Sequence, residues 1–337
     1  MEYTLTQPLV SIFIPCYNEE KTIGLLLDAI RNQTYPLDHL EVVIADASST
    51  DGTRQVIADY QQMHPEMRIQ VVENPRRIIP AGLNAAIRAS SGEILTRLDA
   101  HSIPAANYIE LSVLALLEGR GQNVGGVIEI KPGGDSWIAR SIAVAAAHPL
   151  GVGDARYRWA TQAGPADTVA FGTFYRELFE QIGYYDETLL INEDYELNTR
   201  IRRSGGVIWV DPAIKAVYFS RSDLRSLARQ YFSYGYWKFK MLKRYPGSLR
   251  WRQAIPPLFV AGILMLLLCS VFWSFARLLL GLSLGFYLLV LLAGSIAPAR
   301  KKQDSGMLLG IPLAIMTMHL SWGTGFIWSL LHGGSAR

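Results

Sequence analysis

The stretch "GEILTRLDAHSIP", residues 92–104, is an apolar run that ends in Asp99, Ala100 and His101. In an extended chain positions i and i+2 face one side, roughly 6 to 7 Å apart, so this carboxylate and imidazole can aim together at an object beyond the strand end. A divalent cation suits the pair: oxygen ligands favour magnesium or manganese, and the imidazole tilts the choice towards manganese. An isolated Asp-x-His is better explained as a strand-end turn with a surface histidine, and position at the ligand edge of a sheet makes the two readings equal. The neighbourhood of the run therefore decides its meaning.

Outward from it, short β-rich runs recur at 9–15, 40–46, 69–73, 93–99 and 123–130, with helical patterns at about 21–31, 53–63, 81–90 and 105–117 between them. Such alternation predicts an α/β fold, a mostly parallel sheet with helices on both faces. Ligands of such sheets bind at the carboxyl ends of the strands. There the residues are polar: "PCYNEE" (15–20), "DASSTDGT" (46–53) and "DAH" (99–101). The first glycine after the first run is Gly24, so the glycine fingerprint of dinucleotide-binding folds is missing, as is a P-loop. A nucleotide bound here would be held by carboxylates, main chain and a metal.

Taken singly, each motif has a local explanation. Asp46 and Asp51 could bond a base and its ribose, or serve as turn former and helix cap. In "NEDYELNTRIRRSGG" (192–206), Asn192 reads as an N-cap, and Glu193 and Asp194 either complement the helix dipole or supply a general base. Arg76 and Arg77 could hold phosphate, or lie on a solvated surface.

The C-terminal third changes character. Three uncharged runs, about 254–275, 278–297 and 306–331, are long enough to span a bilayer core of ~30 Å. Residues 221–252 carry nine Lys or Arg against one acid, Asp223, interleaved with Tyr231, Tyr234, Tyr236 and Trp237, which reads as an interfacial helix. Arg300, Lys301 and Lys302 follow the second run, whereas the turn after the first holds only Arg277 and the tail only Arg337. The positive-inside rule then places the large N-terminal domain in the cytoplasm and the C-terminus outside, in a multi-pass protein of a plasma membrane, the inner membrane in a bacterium. The net charge of +3 follows from that topology and does not point to nucleic acid. Two cysteines, Cys16 and Cys269, suggest no disulfide. The expected organisation is a catalytic domain over 1–220, basic aromatic juxtamembrane helices over 221–252, and three transmembrane helices over 253–331.

In order, "VSIFIPCYNEE", "IADASSTDGT", "PAGLNAAI", "LDAH" and "NEDYELNTRIRRSGG" resemble the family-two glycosyltransferases, inverting enzymes with a GT-A fold. The resemblance covers roughly residues 9–220. "HPLGVGDARYR", "DTVAFGTFYRELFEQIGYYDE" and "RQYFSYGYWKFKML" extend it to the membrane-attached branch that includes succinoglycan glucosyltransferases. It implies that Pro15, Tyr17 and Glu19 line the nucleotide pocket and that Asp46 recognises the base, usually uracil. It further implies that Asp99 is the first acid of the metal motif and that Asp194, beside Glu193, is the catalytic base. His101 stands where many relatives have a second Asp. The Gln-x-x-Arg-Trp signature of processive synthases is not intact after Gln230, and no transmembrane helix is expected before the catalytic domain, which disfavours a processive synthase.

The resulting expectation is transfer of a sugar, glucose as first guess, from a UDP-sugar to a lipid-linked saccharide in cell-surface polysaccharide synthesis. Asp194 takes the acceptor proton, and a Mn²⁺ or Mg²⁺ ion on Asp99, with His101, stabilises the leaving diphosphate. Arg76 is counted with the nucleotide site. The anchor and its basic collar, facing an anionic leaflet, point to membrane lipids as partners and to a polyprenyl diphosphate saccharide as acceptor. Rivals are a polyprenyl-phosphate monosaccharide synthase, a nucleotidyltransferase, and a non-catalytic membrane scaffold retaining the fold.

Overall fold

The computed structural model describes residues 7–332, which form two compact units: the residues up to 129 with 155–218, and residues 130–154 with those from 219 onward. In chain order the first unit begins with β1 (Val10–Cys16), α1 (Ile23–Arg31), β2 (Leu40–Asp46), α2 (Thr53–Met63), β3 (Arg68–Glu73) and α3 (Ile79–Ala89). It continues with β4 (Ile94–Arg97), β5 (Ser102–Pro104), α4 (Tyr108–Leu117) and β6 (Asn123–Lys131), whose last residues enter the second unit. After α5 (Trp137–Ala145) and α6 (Pro149–Val152) of the second unit come β7 (Gly164–Ala166), β8 (Thr173–Tyr175), α7 (Arg176–Ile182), α8 (Glu193–Arg203) and β9 (Ile208–Phe219).

The strands form one sheet in the order β3-β2-β1-β4-β8-β6-β9-β5, with β7 on β9. Its first four strands are parallel, as the βα alternation requires. Register along β1 and β2 runs from Val10 opposite Leu40 to Cys16 opposite Asp46, so both strands stop level and deliver their following loops to one edge. β4 pairs Phe13 with Arg97, then meets β8 antiparallel. The expected mostly parallel sheet and its helices are present. The antiparallel half is a finding of the structure, because β5, β7 and β8 are three residues each, too short to show a period, and β9 contains Pro212 and Asp211.

The helices cover the sheet through their apolar stripes. α1 buries Ile23, Leu26, Leu27 and Ile30, the i, i+3, i+4, i+7 pattern of one helix face. α3 packs on β1 and β2 through Leu83, Ala86 and Ile87, which join Phe13, Val43, Leu95, Phe174 and Phe179 in one core. Each such side chain contributes about 1.5 to 3 kcal/mol by leaving water. Between β6 and β9 a Cβ on Gly126 would collide with the Ile214 carbonyl, so only glycine lets these strands approach.

The second unit contains α5, α6, α9 (Leu224–Arg244), α10 (Trp251–Ser270), α11 (Ser274–Lys302) and α12 (Met307–His332). The last three have mean hydropathies of 2.0, 2.2 and 1.3 over their most apolar stretches and are long and apolar enough to cross a membrane. The first expected span ends earlier than read, at Ser270, because residues 271–273 form the turn to α11. α9 lies against α12 at backbone distance: a Cβ on Gly325 would strike the Phe232 carbonyl, and one on Gly235 the Trp322 carbonyl. Small residues let helices pack this tightly in apolar surroundings. Lys240 of α9 sits over the Tyr236 and Trp237 rings.

Candidate functional site

Strand ends and one helix start assemble the site within the first unit. β1 releases Pro15, Tyr17 and Glu19, with Tyr17 half exposed, and β2 ends on Asp46, whose side chain is buried. The Asp46 carboxylate accepts from Arg54 Nε at 2.5 Å and Ser49 Oγ at 2.5 Å. Asp51 is occupied locally: its Oδ1 accepts from Thr53 N–H and Oγ at 3.0 and 2.5 Å, and these bonds hold its carboxyl below the usual carboxylate range. It thus braces the turn into α2 from one residue before the cap, since the N-cap position expected of it falls to Gly52.

The run that opened the sequence reading departs from the extended geometry expected of it. β4 stops at Arg97, and Asp99 to His101 form a turn closed by the Ser102 N–H donating to the Asp99 carbonyl at 2.9 Å. The imidazole is placed by a partner outside that stretch: His101 Nδ1 lies 2.9 Å from Glu19 Oε1, and its ring is 5.4 Å from that of Tyr218. A proton on Nδ1 for Glu19 leaves Nε2 as the nitrogen that would carry a metal, the arrangement in which a carboxylate orients a ligating histidine.

α8 supplies the remaining acids. Asn192, in the left-handed region at φ 71°, turns the chain so that Glu193 and Asp194 open the helix; it stands at the expected N-cap position, and its side chain makes no cap hydrogen bond. Arg97 joins these acids to the β4 side. Its Nε and Nη2 stand 3.2 and 3.1 Å from Asp99 Oδ1, Nη2 donates to Glu193 Oε1 at 3.1 Å, and Nη1 bonds Asp194 Oδ1. The guanidinium is buried, whereas the Asp194 side chain keeps 30% of its surface accessible. Desolvation lifts the Asp194 carboxyl above the ordinary carboxylate range; Arg97 opposes the rise, and the Glu193 and Asp99 charges add to it. A carboxyl raised in this way is a better proton acceptor once ionised. The Tyr185 phenol is buried within range of the same charges, and burial pushes its pKa up.

Arg76 pairs with Glu187, whose other oxygen accepts from Asn84 Nδ2 at 2.8 Å. Asn84 also exchanges two bonds of 2.9 Å with the backbone of Tyr185 and so fixes the segment leading to α8. Of the α8 arginines, Arg200 is structural, donating to the carbonyls of Gly183 and Tyr184 at 2.8 Å each while paired with buried Glu196. Arg97 and Asn84 carry no function in the sequence reading, although both sit in its quoted motifs. A charged residue inside the buried run "EILTRLD" is the signal that could have drawn attention to Arg97.

No group of three His, Cys, Asp or Glu side chains among the described residues closes around a metal. Asp99 and His101 are the residues that would hold a cation here, two donors of the kinds manganese accepts. With all three carboxylates ionised against one guanidinium, the cluster is two charges negative. One divalent cation would balance it.

Comparisons with known proteins agree with this geometry. The profile of Glycosyl transferase family 2 matches residues 11–183. The succinoglycan biosynthesis protein ExoA of Rhizobium meliloti is 32% identical over 334 residues, 98% of this chain and 97% of its own. A dolichyl N-acetyl-alpha-D-glucosaminyl phosphate 3-beta-D-2,3-diacetamido-2,3-dideoxy-beta-D-glucuronosyltransferase of Methanococcus voltae is 26% identical over 97% of this chain and 98% of its own. Among solved structures, the mannosyltransferase PcManGT of Pyrobaculum calidifontis, in complex with GDP-Man and Mn²⁺, superposes with a TM-score of 0.64 at 23% identity, over 93% of this chain and 88% of its own, and supports the GT-A fold. With the family motifs on the strand ends and α8 where the sheet brings them together, the chain belongs to glycosyl transferase family 2.

Proposed function

We propose that the protein is an inverting glycosyltransferase that moves a hexose, glucose as first choice, from a UDP-sugar to a lipid-linked saccharide. The observation that carries this reading is the meeting of Asp99 and Asp194 on one guanidinium, at the carboxyl edge of a family 2 sheet. Inversion takes a single in-line displacement at the anomeric carbon, which asks for a base on the acceptor side and a charged donor side, and no covalent nucleophile. Asp194 accepts the acceptor hydroxyl proton as the oxygen attacks. Glu193 stands beside it and shares Arg97. Pro15, Tyr17 and Glu19, with buried Asp46, form the nucleotide side, and Arg76, paired with Glu187, is counted with it. A Mn²⁺ or Mg²⁺ ion held by Asp99 and His101 would supply charge neutralisation for the departing diphosphate.

The lipid-linked acceptor rests on the three apolar helices and on relatives that serve succinoglycan synthesis and a dolichyl-linked sugar. The excess of Lys and Arg over 221–252 and at 300–302 favours a cytoplasmic catalytic unit and an outer C-terminus. Domain limits of 1–220, 221–252 and 253–331 serve as the working division.

The test is UDP release by membranes containing the protein, over a panel of UDP-sugars with lipid extract as acceptor, with Mn²⁺ or chelator. Chelator-sensitive release with one sugar, recovered in the lipid fraction, is the expected result. Label on lipid monophosphate instead would turn the reading to a polyprenyl-phosphate synthase, and no release with any donor would sink it.

A further inference from the structure

Among the described charges of the first unit, Arg97 is used by no step of the transfer, yet it touches each of the three carboxylates gathered at the site. Its backbone is fixed: Arg97 lies opposite Phe13 in the parallel register, and its N–H donates to the Gly172 carbonyl at 2.9 Å. Its side chain has nowhere else to go, being 5% exposed. A guanidinium that deep is tolerated only when paired. One edge of the fork holds Asp99, the other Asp194, with Glu193 between them on Nη2. The spacing of the metal-side acid and the base-side acid is therefore set by one rigid planar group.

We infer that Arg97 is a positioning residue that couples the two halves of the site. It fixes the distance between Asp99 and Asp194, and its single positive charge sets the field that an arriving cation meets. The inference rests on the roles given above to Asp99 and Asp194. A lysine could supply the charge but not the geometry, because one ammonium is a point and cannot serve three carboxylates at fixed spacing.

The experiment compares the full-length wild type with Arg97→Met and Arg97→Lys in detergent by thermal unfolding, by binding of Mn²⁺ alone followed by electron paramagnetic resonance, and by steady-state transfer kinetics. Arg97→Met removes a positive charge next to Asp99, so Mn²⁺ is expected to bind at least as tightly as in wild type. Its kcat should fall by about 10² fold, the scale of a misplaced reacting group, with the donor KM changed far less. Arg97→Lys should return Mn²⁺ affinity to the wild-type value while kcat stays depressed by at least about 10-fold. Recovery of kcat in Arg97→Lys would overturn the inference, since charge alone would then suffice. Parallel loss of Mn²⁺ affinity, kcat and thermal stability in Arg97→Met would also overturn it, leaving a purely structural arginine. If Arg97→Met does not fold, Arg97→Lys decides alone by the same criterion. A wild type that binds Mn²⁺ but transfers no sugar defeats the proposed function instead, and the Mn²⁺ affinities then judge the coupling: weaker binding to Arg97→Met refutes it.

Discussion

The two ends of the sheet's parallel strands hold carboxylates in opposite ways. At the amino ends of β1, β2 and β4, Glu41 accepts from Ser11 Oγ, from Ser91 N–H and Oγ, the latter at 2.6 Å, and from Gly92 N–H at 3.2 Å. One acid meets neutral donors from three directions, and a Cβ on Gly92 would collide with Ser11 and the Leu9 carbonyl. At the carboxyl ends, Asp99, Glu193 and Asp194 share Arg97. The first cluster is a single acid saturated by neutral donors, while the second crowds three acids on one cation. Saturation of one acid suits a role in holding the fold together, and crowded like charges with a raised carboxyl pKa are what functional sites tend to show.

The contrast is broken most severely by Asp194→Asn, which keeps size and hydrogen bonding but removes the proton acceptor. Donor binding should persist, while transfer falls on the order of 10² to 10⁴ fold, read by turnover of labelled donor. Near-normal turnover would remove Asp194 from the role of base. Next comes Asp99→Ala, expected to cost roughly 10- to 100-fold in the affinity for UDP measured with Mn²⁺ by calorimetry, and little without the metal. Glu19→Gln should weaken Mn²⁺ binding by about 10-fold, because the amide can no longer command the Nδ1 proton of His101. Unchanged Mn²⁺ affinity would show that the Glu19 contact does not orient a ligand.

The acid limb of the transfer rate sharpens the same contrast. Desolvation and the neighbouring Glu193 and Asp99 charges raise the Asp194 carboxyl, so the base is still protonated at a pH where an ordinary aspartate, near 4, is ionised. The rate should therefore climb with pH well above 4. A rate already flat from pH 5 upward would mean that donor and cation lower the Asp194 pKa to its ordinary value.

What the sequence disclosed follows from the range of the forces involved. β1, β2, β3 and α2 appear within a residue of their expected limits, because apolar periodicity is a local signal. The end of β4 was misplaced by two residues because the turn at Asp99 is closed by one backbone bond that no side chain announces. β5, β7 and β8 exist only through their partners. The site behaves likewise: Asp99, His101, Glu193 and Asp194 were legible as residue types, but the Arg97 contacts that join Asp99 to Glu193 and Asp194 span 96 and 97 positions and are seen only in the folded chain. Glu19 was read as nucleotide-facing, and its contact with His101 spans 82 positions.

The smallest expected effect belongs to the saturated end. Burial pushes the Glu41 carboxyl up, but the Ser11 and Ser91 hydroxyls and the Ser91 and Gly92 amides outweigh it and hold the group below the usual carboxylate range. A depressed folded-state pKa adds stability at pH values above the unfolded value, about 4.3, and that stability is lost as the pH falls through the lowered folded value. Glu41→Gln exchanges a charged acceptor for a neutral one and places an NH₂ group against donors. It should cost about 1 to 3 kcal/mol at pH 7, with the gap to wild type closing towards pH 3 in denaturant unfolding. Turnover of the folded variant should stay at the wild-type value, since Glu41 lies at the amino ends of the strands, away from Asp99 and Asp194. A turnover loss comparable to that of Asp99→Ala would show that the two ends are not independent, and crowding of like charges would then no longer separate the functional acids from the structural one.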